Sequence, residues 1–321
     1  SGVSHPDPRD AGPIRRLPGP SRSEVIEGLA AELQTGGIEG ARHEAERLVA
    51  HVLGVSRTDL LLHADLVVQP EEAGRIATIA HRRLSGVPLQ HIEGTVAFRD
   101  LVLACDGRAL VPRPETEQLV QLVVDWARGA AASGGVRRVV RPEETTRPRL
   151  DVALDIGTGS GAIALSLLQE DIVGRAVAVD VSARALDQAA ENASSLGLEE
   201  RMGLRQTGAS PWDVIEPGET FDVIVSNPPY IEDSAVSTLP TEVRDHDPLE
   251  ALAGGVDGLD VVRRIVESAS AHLRPGGGLF LEVGADQGHG VRRLLEQDSS
   301  WKTVRVAPDL AGRERFVVAL A

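Results

Sequence analysis

Cysteine occurs once in this chain, at Cys105, which excludes an intrachain disulfide and leaves no cysteine cluster for zinc. A reducing cytoplasm is the expected compartment. The nine histidines are scattered without a His-x-x-x-His pair, and no metal is expected. His43, His51, His63 and His81 fall in helical patterns and read as surface side chains. No run approaches the ~18 apolar residues that a bilayer crossing needs, and the N-terminus lacks the apolar core of a secretory signal. Ser1-Gly2, without a methionine, reads as the scar of a removed tag. Aromatic residues make up only 2%, so Ala, Val and Leu must fill the core, which suits close packing of helices on a sheet. Positive charge is scarce as well: Lys302 is the only lysine, and 33 basic residues face 48 acidic ones for a net charge of −15. That balance repels a polyphosphate backbone and counts against a general nucleic-acid binder. What is present is a chain of 321 residues, 42% hydrophobic, enough for one large or two modest domains.

Residues 1–22 are rich in Pro, Gly and Arg and read as a disordered tail. From Ser23, a candidate N-cap, the residues Val25, Ile26, Leu29 and Leu33 recur at helical spacing up to Gly36-Gly37. Ala41, Ala45, Leu48 and Val52 repeat the pattern up to Gly54, and Ile76, Ala80 and Leu84 repeat it up to Gly86. Residues 23–87 therefore read as a small helical domain, and 88–114 as a linker with a β-hairpin at Thr95–Ala104 turning at Arg99-Asp100. Leu119, Leu122, Val123 and Trp126 mark a further helix, whereas 129–149 break every period and read as an exposed loop. Beyond it, strands expected at 152–156, 176–180, 221–226 and 278–283 alternate with helices near 161–169, 183–196 and 258–273. Alternation of that kind specifies an α/β domain, over 115–321, with a parallel sheet covered on both faces. Thr303–Val306 and Phe316–Leu320, with no helix between them, complete it as an antiparallel edge hairpin.

The first strand of that domain runs into Asp155-Ile156-Gly157-Thr158-Gly159-Ser160-Gly161, followed by a helix. A strand, glycine loop and helix place a ligand at the carboxyl end of the sheet, where backbone N–H groups face it. A dinucleotide fold wants G-x-G-x-x-G; this loop is G-x-G-x-G behind an acid, the arrangement methyltransferases use around the amino acid part of S-adenosylmethionine. Asp155 would answer the cofactor's ammonium group, directly or through water. Asp180, ending the second strand, would accept from both ribose hydroxyls. Gln206 to Ala209 offer no acid for the adenine amino group, and Trp212 either stacks on the adenine or is a core tryptophan. The bland alternative, a glycine turn that merely closes a βα junction, weakens once both aspartates stand in register.

The fourth strand ends in Asn227-Pro228-Pro229-Tyr230. An amide nitrogen is a poor nucleophile because its lone pair is delocalised, so it must be held in line with the methyl group and its conjugation relieved. The Asn227 side-chain oxygen and the Pro228 carbonyl can each accept one N–H of an incoming –NH2, Pro228 and Pro229 stiffen the loop, and Tyr230 would stack on the planar acceptor. A simple turn is the competing reading of the tetrapeptide in isolation.

These residues resemble the HemK/PrmC group of protein N5-glutamine methyltransferases acting on peptide chain release factors. The resemblance runs from about residue 23 to the end. It rests on Pro88 to Ile92, Phe98, Val111-Pro112-Arg113-Pro114-Glu115-Thr116-Glu117, Asp155 to Gly161, Asp180, Val225 to Ile231, Pro248 to Leu252 and Gly312 to Arg315. It implies a Rossmann-like class I methyltransferase fold with a mostly parallel seven-stranded sheet, preceded by a helical domain that grips the partner. It also implies a glutamine substrate in the Gly-Gly-Gln loop of class I release factors, held by Asn227, Pro228, Pro229 and Tyr230. Phe98 and the 112–117 segment, with Arg113 and Glu117, would wall the pocket. A monomer, without direct nucleic-acid or membrane partners, is expected. Two rivals stand beside this reading: a DNA or RNA amino-methyltransferase, since an exocyclic base amine poses the same orientation problem, and a non-catalytic S-adenosylmethionine-binding scaffold. The helical domain, likewise, either docks the partner or only stabilises its neighbour.

Overall fold

The computed structural model describes residues 19–129 and 150–321. The expected tail up to residue 18 and the expected loop at 130–149 lie outside the described residues. The chain divides into two compact units, one ending at Ile92 and the other beginning at Glu93.

The first unit is helical. Its helices are α1 (Arg22–Thr35), α2 (Ala41–Leu53), α3 (Arg57–Leu62), α4 (Pro70–Leu84) and α5 (Leu89–Glu93), the last of which ends at the boundary. Helix α1 starts earlier than expected. Its N-cap is Ser21, not Ser23: the Ser21 hydroxyl accepts the Glu24 N–H while the Glu24 carboxylate accepts the Ser21 N–H, a closed capping box. Ile26, Leu29, Leu33, Ala45, Leu48, Leu60, Ile76 and Ala80 converge from α1 to α4 into one buried core. Arg83, buried in α4, forms an ion pair with Glu44 of α2 at 2.6 Å.

The second unit opens with the hairpin β1 (Thr95–Phe98) and β2 (Leu101–Ala104), whose turn carries Arg99 at φ 50°. Helix α6 (Pro114–Ala127) follows. The main sheet holds β3 (Leu150–Ile156), β4 (Val173–Asp180), β5 (Met202–Gln206), β6 (Phe221–Ser226), β7 (Leu273–Glu282), β8 (Thr303–Pro308) and β9 (Glu314–Leu320). Their order is β5-β4-β3-β6-β7-β9-β8, parallel from β5 to β7 and antiparallel at β9 and β8. The helices are α7 (Ala162–Gln169), α8 (Ala183–Ser195), α9 (Asp233–Val236), α10 (Thr241–Arg244), α11 (Asp260–Ala269) and α12 (Gly288–Leu295).

Strand periodicity sorts the core into two layers. Ala153, Val223, Val225, Phe280 and Val318 pack on one face with α6, α7 and α8, while Leu154, Ile224, Leu279, Leu281 and Val317 pack on the other with α11 and α12. The strand order reverses beside β3, between β4 and β6, which opens a crevice at the carboxyl ends of these central strands. Among the described residues no helix is long and apolar enough to cross a membrane.

Candidate functional site

The loop leaving β3 turns through Gly157, Gly159 and Gly161, all at positive φ. Gly161, at φ 84°, is the N-cap of α7, and a Cβ there would stand 3.0 Å from Leu165 and 3.2 Å from Met202, so both backbone angle and packing call for glycine. Beneath the loop Asp155 is 0% exposed. Its Oδ2 accepts the Thr158 hydroxyl at 2.7 Å and the Ala164 N–H at 3.2 Å, while Oδ1 has no hydrogen-bond partner among the described residues. Burial pushes this carboxyl up to about 7, against those two hydrogen bonds. Asp180, at the end of β4, accepts the Gly159 N–H on one oxygen and the Ser182 N–H on the other, both at 2.9 Å. Burial raises its pKa too.

A cavity of about 130 Å³ opens over these strand ends. Gly157, Gly159, Asp180 and Val181 line it, as do Thr207 to Ala209, Arg264, Asn227, Pro228 and Pro229. A second cavity, of about 190 Å³, lies against Arg113, Tyr230, Ile231 and Val243, and Asn227 and Pro228 line it as well. Asn227 and Pro228, together with Leu110 and Ala251, are thus shared by the two cavities.

Surrounding residues hold the tetrapeptide firmly. The Asn227 Nδ2 donates to the Thr116 hydroxyl at 3.0 Å, and that hydroxyl donates to Glu282 Oε2 at 2.8 Å. The Tyr230 carbonyl accepts from Gln287 Nε2 at 3.0 Å, and the Arg315 guanidinium lies 5.6 Å from the centre of the tyrosine ring, within cation–π range. Burial raises the Tyr230 pKa. Arg113 donates to buried Asp247 at 2.7 Å, which ties the start of α6 to the segment after α10.

The structure brings Gly157, Gly159, Asp180, Asn227, Pro228 and Pro229 to the first cavity and Arg113, Asn227, Pro228 and Tyr230 to the second. Other residues singled out in the sequence lie elsewhere. Trp212 stacks one face on His272 at 4.7 Å, donates its indole N–H to the Arg264 carbonyl at 2.7 Å and packs against the second core layer; Pro211 beside it, rather than Trp212, lines the first cavity. Phe98, the last residue of β1, is 1% exposed in the first core layer and lines neither of the two cavities. Glu117 stands on α6, where its carbonyl accepts from Arg99 at 3.1 Å. Ser160 is buried with its carbonyl bonded to Asn192 at 2.9 Å, and Thr158 serves Asp155. Sequence reasoning missed Asp247, Glu282, Gln287 and Arg264, and it gave Thr116 no task of its own. Asp247 and Thr116 lay in quoted segments or one residue from them; the others carry no local signal.

A mostly parallel seven-stranded sheet with a reversed edge pair, carrying a glycine loop after its central strand, defines a class I methyltransferase. The hMettl16 catalytic domain, solved in complex with MAT2A 3′UTR hairpin 1, shares this fold at a TM-score of 0.52 and 15% identity, over 85% of this chain and 90% of that one. Residues 143–242 match the methyltransferase small domain, and residues 24–94 match the PrmC N-terminal domain. The release factor glutamine methyltransferase of Gloeobacter violaceus is 39% identical over 292 residues, 91% of this chain and 94% of that protein. Those of Deinococcus radiodurans and Mycolicibacterium smegmatis are 38% and 36% identical, each over 92% of this chain, and 97% and 96% of their own lengths. The chain belongs to the release factor glutamine methyltransferase family, and it is an enzyme.

Proposed function

We propose that the enzyme transfers a methyl group from S-adenosylmethionine to the side-chain amide nitrogen, N5, of a glutamine, and that this glutamine belongs to the Gly-Gly-Gln motif of class I peptide chain release factors. The observation that carries the proposal is this sharing: Asn227 and Pro228 line both cavities, so a donor in one and an acceptor in the other meet at the same two residues. The names of the relatives support the glutamine and its release factor.

The first cavity suits the donor. The orphaned Asp155 oxygen is a counter-charge behind the glycine loop for the ammonium group, and Asp180 retains lone pairs for ribose hydroxyls after accepting two backbone N–H groups. When bound, S-adenosylmethionine supplies an electrophilic methyl on a positively charged sulfur. Asn227 Oδ1 and the Pro228 carbonyl accept the two N–H groups of the glutamine amide and aim its nitrogen at that methyl. Tyr230, braced by Arg315, offers its ring to the planar amide. No base is required before attack, because the amide nitrogen becomes acidic only as it is methylated. Arg113, held by its ion pair with Asp247, lines the acceptor cavity. The helical unit docks the release factor, and the enzyme works as a monomer in the cytoplasm, where such factors act.

Labelled S-adenosylmethionine incubated with purified release factors, followed by mass mapping of the modified residue, tests the proposal. Label on the Gly-Gly-Gln glutamine is the expected result. Label on a nucleic-acid base, with none on the factor, would overturn it in favour of a base amino-methyltransferase.

A further inference from the structure

A primary amide has two ends of nearly equal shape and opposite hydrogen-bonding character. If Asn227 turned its Nδ2 toward the acceptor cavity, it would meet the N–H groups of an incoming amide donor to donor, and the contact would repel. Only the opposite orientation, with Oδ1 outward, can receive the substrate. Nothing in the tetrapeptide itself selects between the two.

The selection comes from outside it. Thr116, in the first turn of α6, sits 3.0 Å from Asn227 Nδ2 and 2.8 Å from Glu282 Oε2. Glu282 ends β7, the strand beside β6, and is 1% exposed; Thr116 is 5% exposed. An ionised carboxylate only accepts hydrogen bonds, so it claims the single hydroxyl proton of Thr116. The oxygen of Thr116 then shows a lone pair to Asn227, and only the N–H end of that amide can satisfy it. With the site this deeply buried, reversal would leave two acceptors facing each other without water, which disfavours it. Burial raises the Glu282 carboxyl to about 7, while the Thr116 hydrogen bond and the cations Arg315 and Arg113 oppose that rise and Glu115 adds to it. Above neutral pH the relay therefore has its acceptor.

We propose that Thr116 and Glu282 are positioning residues that act through one directional hydrogen-bond chain to hold the Asn227 amide with Oδ1 toward the acceptor cavity. This rests on the reading of Asn227 as the ligand of the glutamine amide. Thr116 touches neither substrate in this arrangement; its effect passes wholly through Asn227.

The test combines a spectrum with a mutant cycle, in the full-length enzyme at pH 8. The Asn227 side-chain NH2, assigned by its disappearance in Asn227→Ala, should show one hydrogen-bonded proton that exchanges slowly in the parent and quickly in Thr116→Val. Single-turnover methylation of a Gly-Gly-Gln peptide should fall about tenfold to a hundredfold in Thr116→Val and recover to within about threefold of the parent in Thr116→Ser. Donor affinity should stay within about twofold in both variants, and in the Asn227→Ala background Thr116→Val should have no further effect on turnover. An unprotected Asn227 NH2 in the parent would overturn the relay even if the valine variant failed to fold. So would losses that multiply in the double mutant. A parent with the protected NH2 that left the peptide unmethylated would instead overturn the proposed function and leave the relay standing.

Discussion

Asn227 offers the sharpest separation between binding an amide and orienting it. If its oxygen accepts an N–H in the attack geometry, Asn227→Ala should lower single-turnover methylation roughly a hundredfold to a thousandfold, or about 2.7–4 kcal/mol, while donor affinity changes little. Near-parent turnover would sink that mechanism. Asp180 lines the first cavity only: Asp180→Ala should weaken S-adenosylmethionine binding by about 1–3 kcal/mol in calorimetry, and unchanged affinity in a folded variant would remove Asp180 from the proposed donor site. Asp155 allows a pH prediction. Burial raises its pKa from 3.8 unfolded to about 7 folded, so the folded state holds the proton more tightly. The stability this provides is fully present below pH 3.8 and is lost as pH rises through about 7, where a charged carboxylate must stay buried. An amide in its place, as in Asp155→Asn, carries no charge at any pH and keeps an oxygen for Thr158 and Ala164. Urea unfolding of the ligand-free proteins should therefore show Asp155→Asn gaining on the parent between about pH 4 and pH 7, by roughly a few kcal/mol, then levelling off. A difference that ignored pH would mean that the carboxyl is not desolvated.

At the scale of elements, the loops at the sheet's carboxyl edge depend on close backbone approaches. Gly258 has φ 72°, and a Cβ there would stand 2.3 Å from the Tyr230 carbonyl oxygen and 2.6 Å from Gln287 Nε2. Gly258→Ala should cost about 1–3 kcal/mol in thermal unfolding and displace Tyr230, with turnover falling more than donor affinity. Parent-like turnover would show that this approach does not matter to the tetrapeptide. Most of the elements themselves were legible, because period-2 and period-3.6 patterns are local properties: the strands ending in Ile156, Asp180 and Ser226 and the edge hairpin stand where alternation put them. Strand β7 runs longer than expected because Leu273 pairs with Phe221 ahead of Pro275 and three glycines, residues that argue against a strand when read alone. The Ser21 capping box was readable as S-x-x-E, yet the Pro-rich residues before it drew the boundary two positions late. Thr116, Asn227 and Glu282 are another matter. They stand 111 and 166 residues apart along the pairs that join them, and no spacing rule connects a helix's first turn to two strand ends.

At the scale of the molecule, the chain combines a net charge of −15 with two units that each have their own buried core. The two cavities are lined entirely by residues beyond Glu93, so no residue of the first unit contributes to their lining. A separate helical unit then has either a docking task or only a stabilising one, and the two make different kinetic forecasts. If it docks the release factor, the intact factor should have a KM far below that of a Gly-Gly-Gln peptide in the full-length enzyme, with similar rates at saturation, because remote contacts add binding without altering the transfer step. Deleting the chain up to Ile92 should raise the KM for the intact factor toward that of the peptide, about a hundredfold for the ~2.7 kcal/mol that a few buried anchor residues supply. The peptide itself should react as before, and calorimetry should show undiminished donor binding. Added salt should weaken docking only in proportion to the ion pairs it contains, so a weak salt dependence would point to an apolar contact. Equal KM values for factor and peptide in the full-length enzyme would refute the docking role without any truncation, and would leave the helical unit a stabilising one.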